Sequence, residues 1–340
     1  MGNIGERFMI QLIIMILFLL LNILISLLFF INSSPLIFRY KFVGSMAYFD
    51  KECFDRNHIT NESIYLLSND YYRARLSNIE FLADYSNKPR KSSFSIIIST
   101  YERVECLKRS FYKILKYRPK NTEIVICDDG TKAQSKVDFL NQIAQKFYSN
   151  EVYIIKHKKT SGAFHTKLDA FLFCCGDYIM SLDDDDDFDN TFYQEIASNI
   201  DYCNDFIIPV NHKIFYWVNL PFTYLSEFIG KYHNHVTFAF RRALLEDINY
   251  PNYDVSIVRD DCVLMVPIYI KTGMKNIKYF NNKGQYLLDD YCKTTHEDVK
   301  KSDMNSVKNG YDFLVSFAQR VNRNDTIKMI KKSYQEDGSF

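Results

Sequence analysis

The sequence lacks an excess of charge of either sign. Its 42 Lys and Arg residues are balanced by 41 Asp and Glu residues, and the formal net charge of the 340-residue chain is +1. A strongly basic chain would favour nucleic acid or another acidic partner, and this balance gives no such indication. We therefore predict no nucleic-acid partner.

Several short motifs are also missing. The eight cysteines show no C-x-x-C spacing and no framework typical of small disulfide-rich domains. Cys127 and Cys174 lie in apolar runs, which favours buried thiols. No G-x-G-x-x-G follows the first predicted strand, and this argues against a dinucleotide-binding Rossmann site.

The first clear feature that is present is a long apolar segment, residues 8–31, which contains no charged residue. A helix of that length extends about 36 Å at about 1.5 Å per residue, enough to cross a bilayer core. A cleaved signal peptide has a shorter apolar region that ends in small residues, whereas this segment ends in Phe29-Phe30-Ile31. The sequence therefore predicts an uncleaved signal-anchor, a single transmembrane helix.

The positive charges do not decide the orientation of this anchor, because Arg7 precedes it while Arg39 and Lys41 follow it. Three glycosylation sequons favour a lumenal domain, which would be type II in the Golgi or endoplasmic reticulum of a eukaryote. The sequons begin at Asn32, Asn61 and Asn324.

Beyond the anchor, β-branched runs alternate with segments of helical spacing. This alternation is typical of right-handed βαβ units in an α/β fold, a mostly parallel sheet flanked by helices. The predicted strands are residues 93–99, 123–127, 151–155 and 177–182, and the predicted helices between them are 104–117, 134–147 and 166–175. The predicted organisation is an anchor at 8–31, a partly helical stem at 32–90, an α/β domain at 91–300 and a helical segment at 301–340.

Polar residues follow three of these strands, at Ser99-Thr-Tyr101, at Asp128-Asp-Gly130 and from Asp183 onward. In open α/β sheets, ligands bind beyond the carboxyl ends of the strands. We therefore expect the three strand ends to converge on one crevice.

The third of these strand ends begins the aspartate run, residues 183–187. If the strand continues into the run, Asp183 and Asp185 point to one side and Asp184 and Asp186 to the other. Two carboxylates on one side suit Mg²⁺ or Mn²⁺, which would also bind substrate phosphates. The position after a buried strand favours Asp183 and Asp185 as ligands over a merely solvated acidic loop, and the Asp184 and Asp186 register stays open.

Four blocks in order resemble the family 2 glycosyltransferases, which have the GT-A fold and a D-x-D motif. The blocks are residues 95–103, 124–131, 161–179 and 183–185. The resemblance implies that Tyr101 stacks on the base of a nucleotide-sugar donor, with Ser99 beside it. Asp129 would contact the base or ribose, and Lys167 would meet phosphate.

The resemblance also places the D-x-D motif at Asp183-Asp-Asp185. Asp183 and Asp185 would hold Mn²⁺ or Mg²⁺ together with the diphosphate of the donor. His296 follows Asp289-Asp290, where some GT-A enzymes supply a further metal or phosphate ligand, so His296 is a third candidate metal ligand.

Residues 259–264 resemble the E-D segment of the family, which implies that Asp261 is the catalytic base and Asp260 its neighbour. Paired carboxylates raise the pKa of one member, which helps a base to act near neutral pH. The alternative is that both acids lie in the first turn of a helix, which favours carboxylates. His233 and His235 precede the strand before this segment and are candidates for the acceptor side.

The expected function is that of a membrane-anchored, metal-dependent glycosyltransferase of the hexosyl- or N-acetylhexosaminyl-transferring class. It would move a sugar from a nucleotide sugar, a UDP-sugar by expectation, to a hydroxyl of a glycan, protein or lipid acceptor. An inactive GT-A-like scaffold is one alternative, which the intact acidic run disfavours. A pyrophosphorylase or phosphatase is another, disfavoured because no glycine-rich loop follows the first strand and Cys127 replaces a phosphatase nucleophile.

Overall fold

The computed structural model describes most of the predicted α/β domain. The described residues are 75, 77–82, 92–147, 151–201, 203–210, 238–245, 248–251, 260–272, 276–281, 286–288, 304–324, 326–328 and 330–331. The predicted anchor, most of the predicted stem, His233, His235 and His296 lie outside them. Among the described residues, no helix has the length and apolar character needed to cross a membrane.

An eight-stranded mixed sheet organises these residues, in the spatial order β1-β4-β3-β2-β5-β8-β7-β9. Its strands are β1 (Ile79–Phe81), β2 (Phe94–Thr100), β3 (Thr122–Asp128), β4 (Val152–His157), β5 (Tyr178–Asp183), β7 (Phe206–Val210), β8 (Ala239–Arg241) and β9 (Ile277–Asn281). A separate antiparallel pair consists of β6 (Asp186–Phe188) and β10 (Tyr286–Leu288). Strands β4, β3, β2 and β5 are parallel, whereas β1 and β8 run antiparallel to their neighbours β4 and β5.

Six α-helices with defined bounds accompany the strands in the described residues, together with a 3-10 helix at Arg242–Leu245. The α-helices are α1 (Val104–Tyr117), α2 (Gln134–Phe147), α3 (Ala163–Phe173), α4 (Phe192–Ser198), α5 (Asp260–Thr272) and α6 (Met304–Arg320). The predicted βαβ alternation is thus confirmed through β5. Helix α3 begins three residues earlier than predicted because its N-cap is Gly162, whose φ of 85° breaks the preceding backbone direction.

The helices cover both faces of the sheet, which explains why the central strands read as continuous apolar runs. On β2, Ile96 and Ile98 pack on the face covered by α1, α2 and α4, and Ile97 packs on the face covered by α3, α5 and α6. Cys127 and Cys174 are buried free thiols, as their apolar surroundings predicted.

A glycine sets the contact between β2 and the chain entering β5. A Cβ atom on Gly176 would lie 2.4 Å from the Ser95 Oγ and 2.6 Å from the Ser95 backbone nitrogen. The Gly176 N–H instead donates a hydrogen bond to the Ser95 Oγ at 2.8 Å. Glycine is required because any side chain would push the two strands apart.

The resulting register brings the three predicted strand ends together. Ser99 on β2 lies opposite Asp183 on β5, and Thr100 lies opposite Asp128 on β3. The expected convergence of polar residues at the carboxyl edge of the sheet is confirmed.

Candidate functional site

The aspartate run is a tight turn, so the side-chain alternation of β5 does not continue through it. Asp183 ends β5, Asp184 and Asp185 form the turn, and Asp186 begins β6. The Asp186 carboxylate accepts a hydrogen bond from the Asp183 backbone N–H at 2.8 Å. From α1, the Ser110 hydroxyl donates to the carbonyl oxygens of Asp184 and Asp186 at 2.8 and 3.2 Å. These bonds fix the turn without the help of a ligand.

Asp184 is fully buried beneath this turn and is surrounded by partners. It forms an ion pair with Arg103 and accepts a hydrogen bond from the Thr100 hydroxyl at 2.5 Å. Burial raises the pKa of Asp184 to about 7, while the Arg103 charge, the Thr100 hydrogen bond and the Lys136 charge oppose that increase. The buried Asp184 carboxylate therefore stabilises the turn and is not part of its solvent-accessible surface.

Arg103 also holds Asp185, through Nη1 to Oδ2 at 2.6 Å and Nη2 to Oδ1 at 3.4 Å. The residue before it, Glu102, has a positive φ of 57°, which is uncommon for a residue other than glycine. The Glu102 carboxylate accepts a hydrogen bond from the Lys132 N–H at 3.0 Å. That bond holds the unusual backbone from which Arg103 extends to the acidic turn.

The carboxylates of Asp183 and Asp185 are the part of this turn that reaches solvent, with 25% and 20% of their side chains exposed. The Ser99 hydroxyl donates to Asp183 Oδ1 at 2.8 Å, and the Lys167 Nζ lies 3.3 Å from the same oxygen. The structure thus brings together Ser99, Lys167, Asp183 and Asp185 from three parts of the chain. Their roles in donor and metal binding stay predictions.

The donor chemistry of this edge fits a hard divalent cation. Mg²⁺ and similar ions are commonly bound by one or two carboxylates together with substrate phosphates and water, and Asp183 and Asp185 supply two such carboxylates. In the described part of the chain, no cluster of three or more His, Cys, Asp or Glu side chains forms a metal site made of protein groups alone.

Tyr101 lies at the end of β2 beside these residues, with 48% of its surface exposed. The stacking of Tyr101 on a donor base stays a prediction. Asp260 and Asp261 are the first two residues of α5, which is the position that the helix-capping alternative assigned to them. Their side chains lie outside the described structure, so the base role of Asp261 stays a prediction.

Asp129 is buried and binds the loop before α3. Its Oδ1 accepts from the Ser161 N–H at 2.6 Å and lies 2.9 Å from the His157 Nδ1, while its Oδ2 accepts from the Gly162 N–H at 2.9 Å. The next residue, Gly130, has a φ of 73°, and a Cβ atom there would lie 2.9 Å from the Thr160 nitrogen. Through these contacts, Asp129 connects the end of β3 to the loop before α3. Its contact with a donor base or ribose stays a prediction.

Sequence reasoning missed Arg103, Lys136 and the buried charges around His157. Lys136 is fully buried, with its Nζ 3.0 Å from Asp128 Oδ1 and 2.8 Å from Thr100 Oγ1. Burial lowers the pKa of Lys136, while the Asp128 and Asp184 charges oppose that shift. The sequence contains one indication that Lys136 is buried. Lys136 lies four residues before Leu140, on the buried face of α2.

Comparison with known protein families shows the class to which the domain that carries this site belongs. The model of the family described as glycosyl transferase family 2 matches residues 95–261. Residues 95–261 belong to the family 2 glycosyltransferases. The resemblance seen in the sequence blocks is therefore confirmed, whereas the match leaves the assignment of the D-x-D motif to Asp183 and Asp185 as a prediction.

Comparison with solved structures tests whether this family 2 domain also resembles known proteins in its fold. S. aureus TarS 1-349 in complex with UDP-GlcNAc is 17% identical with a TM-score of 0.53, covering 72% of this chain and 71% of that chain. The mannosyltransferase PcManGT from Pyrobaculum calidifontis, in complex with GDP-Man and Mn²⁺, is 14% identical with a TM-score of 0.44, covering 80% of this chain and 77% of that one. The first likeness shows a shared mixed α/β, GT-A-like fold. No curated protein sequence matches the chain.

The Arg103–Asp184 pair of this glycosyltransferase domain generates a stability prediction. Arg103→Gln is expected to lower the unfolding free energy by about 1–3 kcal/mol, because Asp184 loses a partner that it cannot replace with water. Combining Arg103→Gln with Asp184→Asn is expected to recover at least about 1 kcal/mol relative to the sum of the single variants. Urea unfolding of the four proteins measures this coupling.

Lys108→Gln serves as the control, since it removes an exposed pair with Glu105 on the same helix and is expected to cost less than about 0.5 kcal/mol. Strictly additive effects of Arg103→Gln and Asp184→Asn would contradict the pairing.

Proposed function

We propose that the chain is a metal-dependent glycosyltransferase that moves a sugar from a nucleotide-sugar donor to an acceptor hydroxyl. The observation that carries this proposal is the pair of partly exposed carboxylates, Asp183 and Asp185, in a turn at the carboxyl edge of a family 2 domain. Two partly exposed carboxylates at this edge suit a cation that binds a diphosphate.

The neighbours of Asp183 support the same binding mode. Lys167 lies 3.3 Å from the Asp183 carboxylate and would place its positive charge beside a diphosphate bound there. Ser99 donates to the same carboxylate and orients it. Tyr101 is exposed at the end of the same strand, where its ring would stack on the base of the donor.

The proposed reaction breaks the bond between the sugar anomeric carbon and the diphosphate and forms a bond from that carbon to the acceptor oxygen. A divalent cation at Asp183 and Asp185 would neutralise the charge of the leaving diphosphate. In an inverting reaction, Asp261 receives the proton of the acceptor hydroxyl. In a retaining reaction, Asp261 has no such role.

The donor is proposed to be a UDP-sugar carrying a hexose or an N-acetylhexosamine. UDP-GlcNAc is the first donor to test, because TarS, which shares the fold, is described in complex with it. The acceptor is proposed to be a glycan, a protein or a lipid. The apolar segment 8–31 is proposed to anchor the enzyme in a membrane, with the domain on the lumenal side if the cell is eukaryotic.

Metal-dependent nucleotide binding is the first test of this function. Isothermal titration is expected to show that UDP binds at least about tenfold more tightly with Mn²⁺ than without it. Asp183→Asn is expected to abolish that gain, because it removes one charged ligand of the cation. The matched control is Asp189→Asn, since the Asp189 side chain accepts hydrogen bonds from Thr191 before α4 and an asparagine side chain can do the same. An affinity for UDP that is the same with and without Mn²⁺ would contradict the proposed metal site.

Base stacking is tested by two exposed tyrosines of similar accessibility. Tyr101→Ala is expected to weaken UDP binding about tenfold or more, since stacking of a base on an aromatic side chain contributes about 1–3 kcal/mol. Tyr112→Ala is the control, because Tyr112 packs on Phe139 and Phe147 in the α1–α2 layer. Equal UDP affinity in both variants would exclude the stacking role of Tyr101.

The base role is tested by Asp261→Asn. We expect the transfer rate to fall about 10²–10⁴-fold, the usual contribution of a general base, while UDP affinity stays the same. Asp312→Asn, which alters an exposed ion pair with Lys308 on α6, is expected to keep full activity. Full transfer activity of Asp261→Asn would rule out that role.

A further inference from the structure

A cluster of four charged side chains lies behind the candidate site, between β1, β3, β4 and α3. The Arg75 guanidinium donates to Asp169 through Nη2 at 2.6 Å and through Nε at 3.0 Å. Asp169 Oδ2 lies 2.9 Å from the His157 Nε2, and Asp129 Oδ1 lies 2.9 Å from the His157 Nδ1. The side chains of His157 and Asp169 are fully buried. We call these four residues the His157 cluster.

The geometry determines the protonation state of His157. Each ring nitrogen lies at hydrogen-bond distance from a carboxylate oxygen, and a carboxylate can only accept. A neutral imidazole would place an unprotonated nitrogen against one of the two carboxylates. The imidazolium form satisfies both, and the two positive and two negative groups of the cluster then cancel.

The pKa of His157 agrees with this geometry. Burial by itself lowers the pKa of His157, but the interaction with Cys127 and the hydrogen bonds to Asp129 and Asp169 raise it well above its usual range. Burial raises the pKa of the Cys127 thiol, 3.7 Å from the ring, so the two carboxylates provide the partners at neutral pH. The pKa of His157 in the folded protein lies above its unfolded value of about 6.5. The stability that the protonated ring contributes is therefore complete below about pH 6.5 and is lost as the pH rises through the folded pKa.

The His157 cluster fixes helix α3 at two points. Asp129 binds the backbone N–H groups of Ser161 and Gly162, immediately before the helix. Asp169 holds the middle of the helix through His157 and Arg75. Lys167, two residues before Asp169, is the lysine whose Nζ lies 3.3 Å from Asp183. Movement of α3 would therefore move Lys167 relative to the acidic turn.

We propose that His157 and Asp169 are positioning residues of the donor site, which hold Asp129 and the Lys167-bearing helix in the arrangement that binds a nucleotide sugar. This inference rests on the proposed function, because it assigns the positioned groups to donor binding. It adds two residues that do not themselves touch the donor, and it makes donor binding depend on the positive charge of His157.

Asp169→Asn tests the proposal through the pH dependence of UDP binding in the presence of Mn²⁺. The variant removes one of the two carboxylates that keep His157 protonated, so the ring loses its proton at a lower pH. Between pH 7 and pH 9, the Kd for UDP is expected to rise about tenfold more in the variant than in the wild type, which corresponds to about 1.4 kcal/mol. A merely structural role would lower stability without this pH dependence.

Glu123→Gln is the matched control. Glu123 is also a buried carboxylate, bonded to Ser95 and Cys175 at the amino ends of the strands, at the opposite edge of the sheet. This variant is expected to lower the unfolding free energy while the Kd for UDP follows the wild-type pH profile. Parallel profiles of Asp169→Asn and the wild type would overturn the proposal.

The wild-type protein provides a second readout that does not depend on folding of a variant. Nitrogen-15 NMR of the His157 ring at pH 8 is expected to show both nitrogens protonated. A neutral ring at that pH overturns the proposal even if UDP binds normally. Absence of any UDP or GDP binding by the folded wild type would instead contradict the proposed function, which separates the two failures.

Discussion

The site depends on one electrostatic constraint, which is that five adjacent carboxylates must be held at the end of a buried strand. Their mutual repulsion would unfold an isolated acidic segment, and here positive charges from several elements oppose it. Arg103 bonds both Asp184 and Asp185, and Lys167 lies beside Asp183. The Asp186 carboxylate closes the turn by accepting a backbone N–H. Asp183 and Asp185 are held by these contacts and still remain partly exposed, so their carboxylates are the ones that a ligand can reach.

The contacts at the two edges of the sheet position different parts of the domain. At the amino edge, Gly176 lies so close to Ser95 that β2 and β5 are locked in register, and that register sets Ser99 opposite Asp183. At the carboxyl edge, buried charges tie each loop to its neighbour, as Asp129 does for the loop before α3. A close backbone contact therefore sets the register of β2 and β5, while hydrogen-bonded charges position the loops that carry the proposed chemistry.

Local pattern predicted strands β2 to β5, the first three helices and the convergence of polar residues at one edge, because apolar periodicity is set by burial on a sheet or helix face. It could not predict the turn at Asp184, since the partners Thr100 and Arg103 lie more than 80 residues earlier in the chain. The family resemblance implied a donor contact for Asp129, and the described structure shows both of its carboxylate oxygens bonded to protein groups. Buried polar partners are chosen by tertiary contacts that no local spacing encodes.

Binding of a nucleotide sugar at this edge, for transfer of the sugar, is tested most directly by a donor screen with the 340-residue chain. Purified protein would be incubated with UDP- and GDP-sugars in Mn²⁺, and nucleoside diphosphate release would be measured with and without candidate acceptors. We expect release of UDP from a UDP-hexose or UDP-N-acetylhexosamine, stimulated by an acceptor and lost on chelation of the metal. Release of free phosphate or pyrophosphate without an acceptor, or no release from any donor by a folded protein, would contradict it.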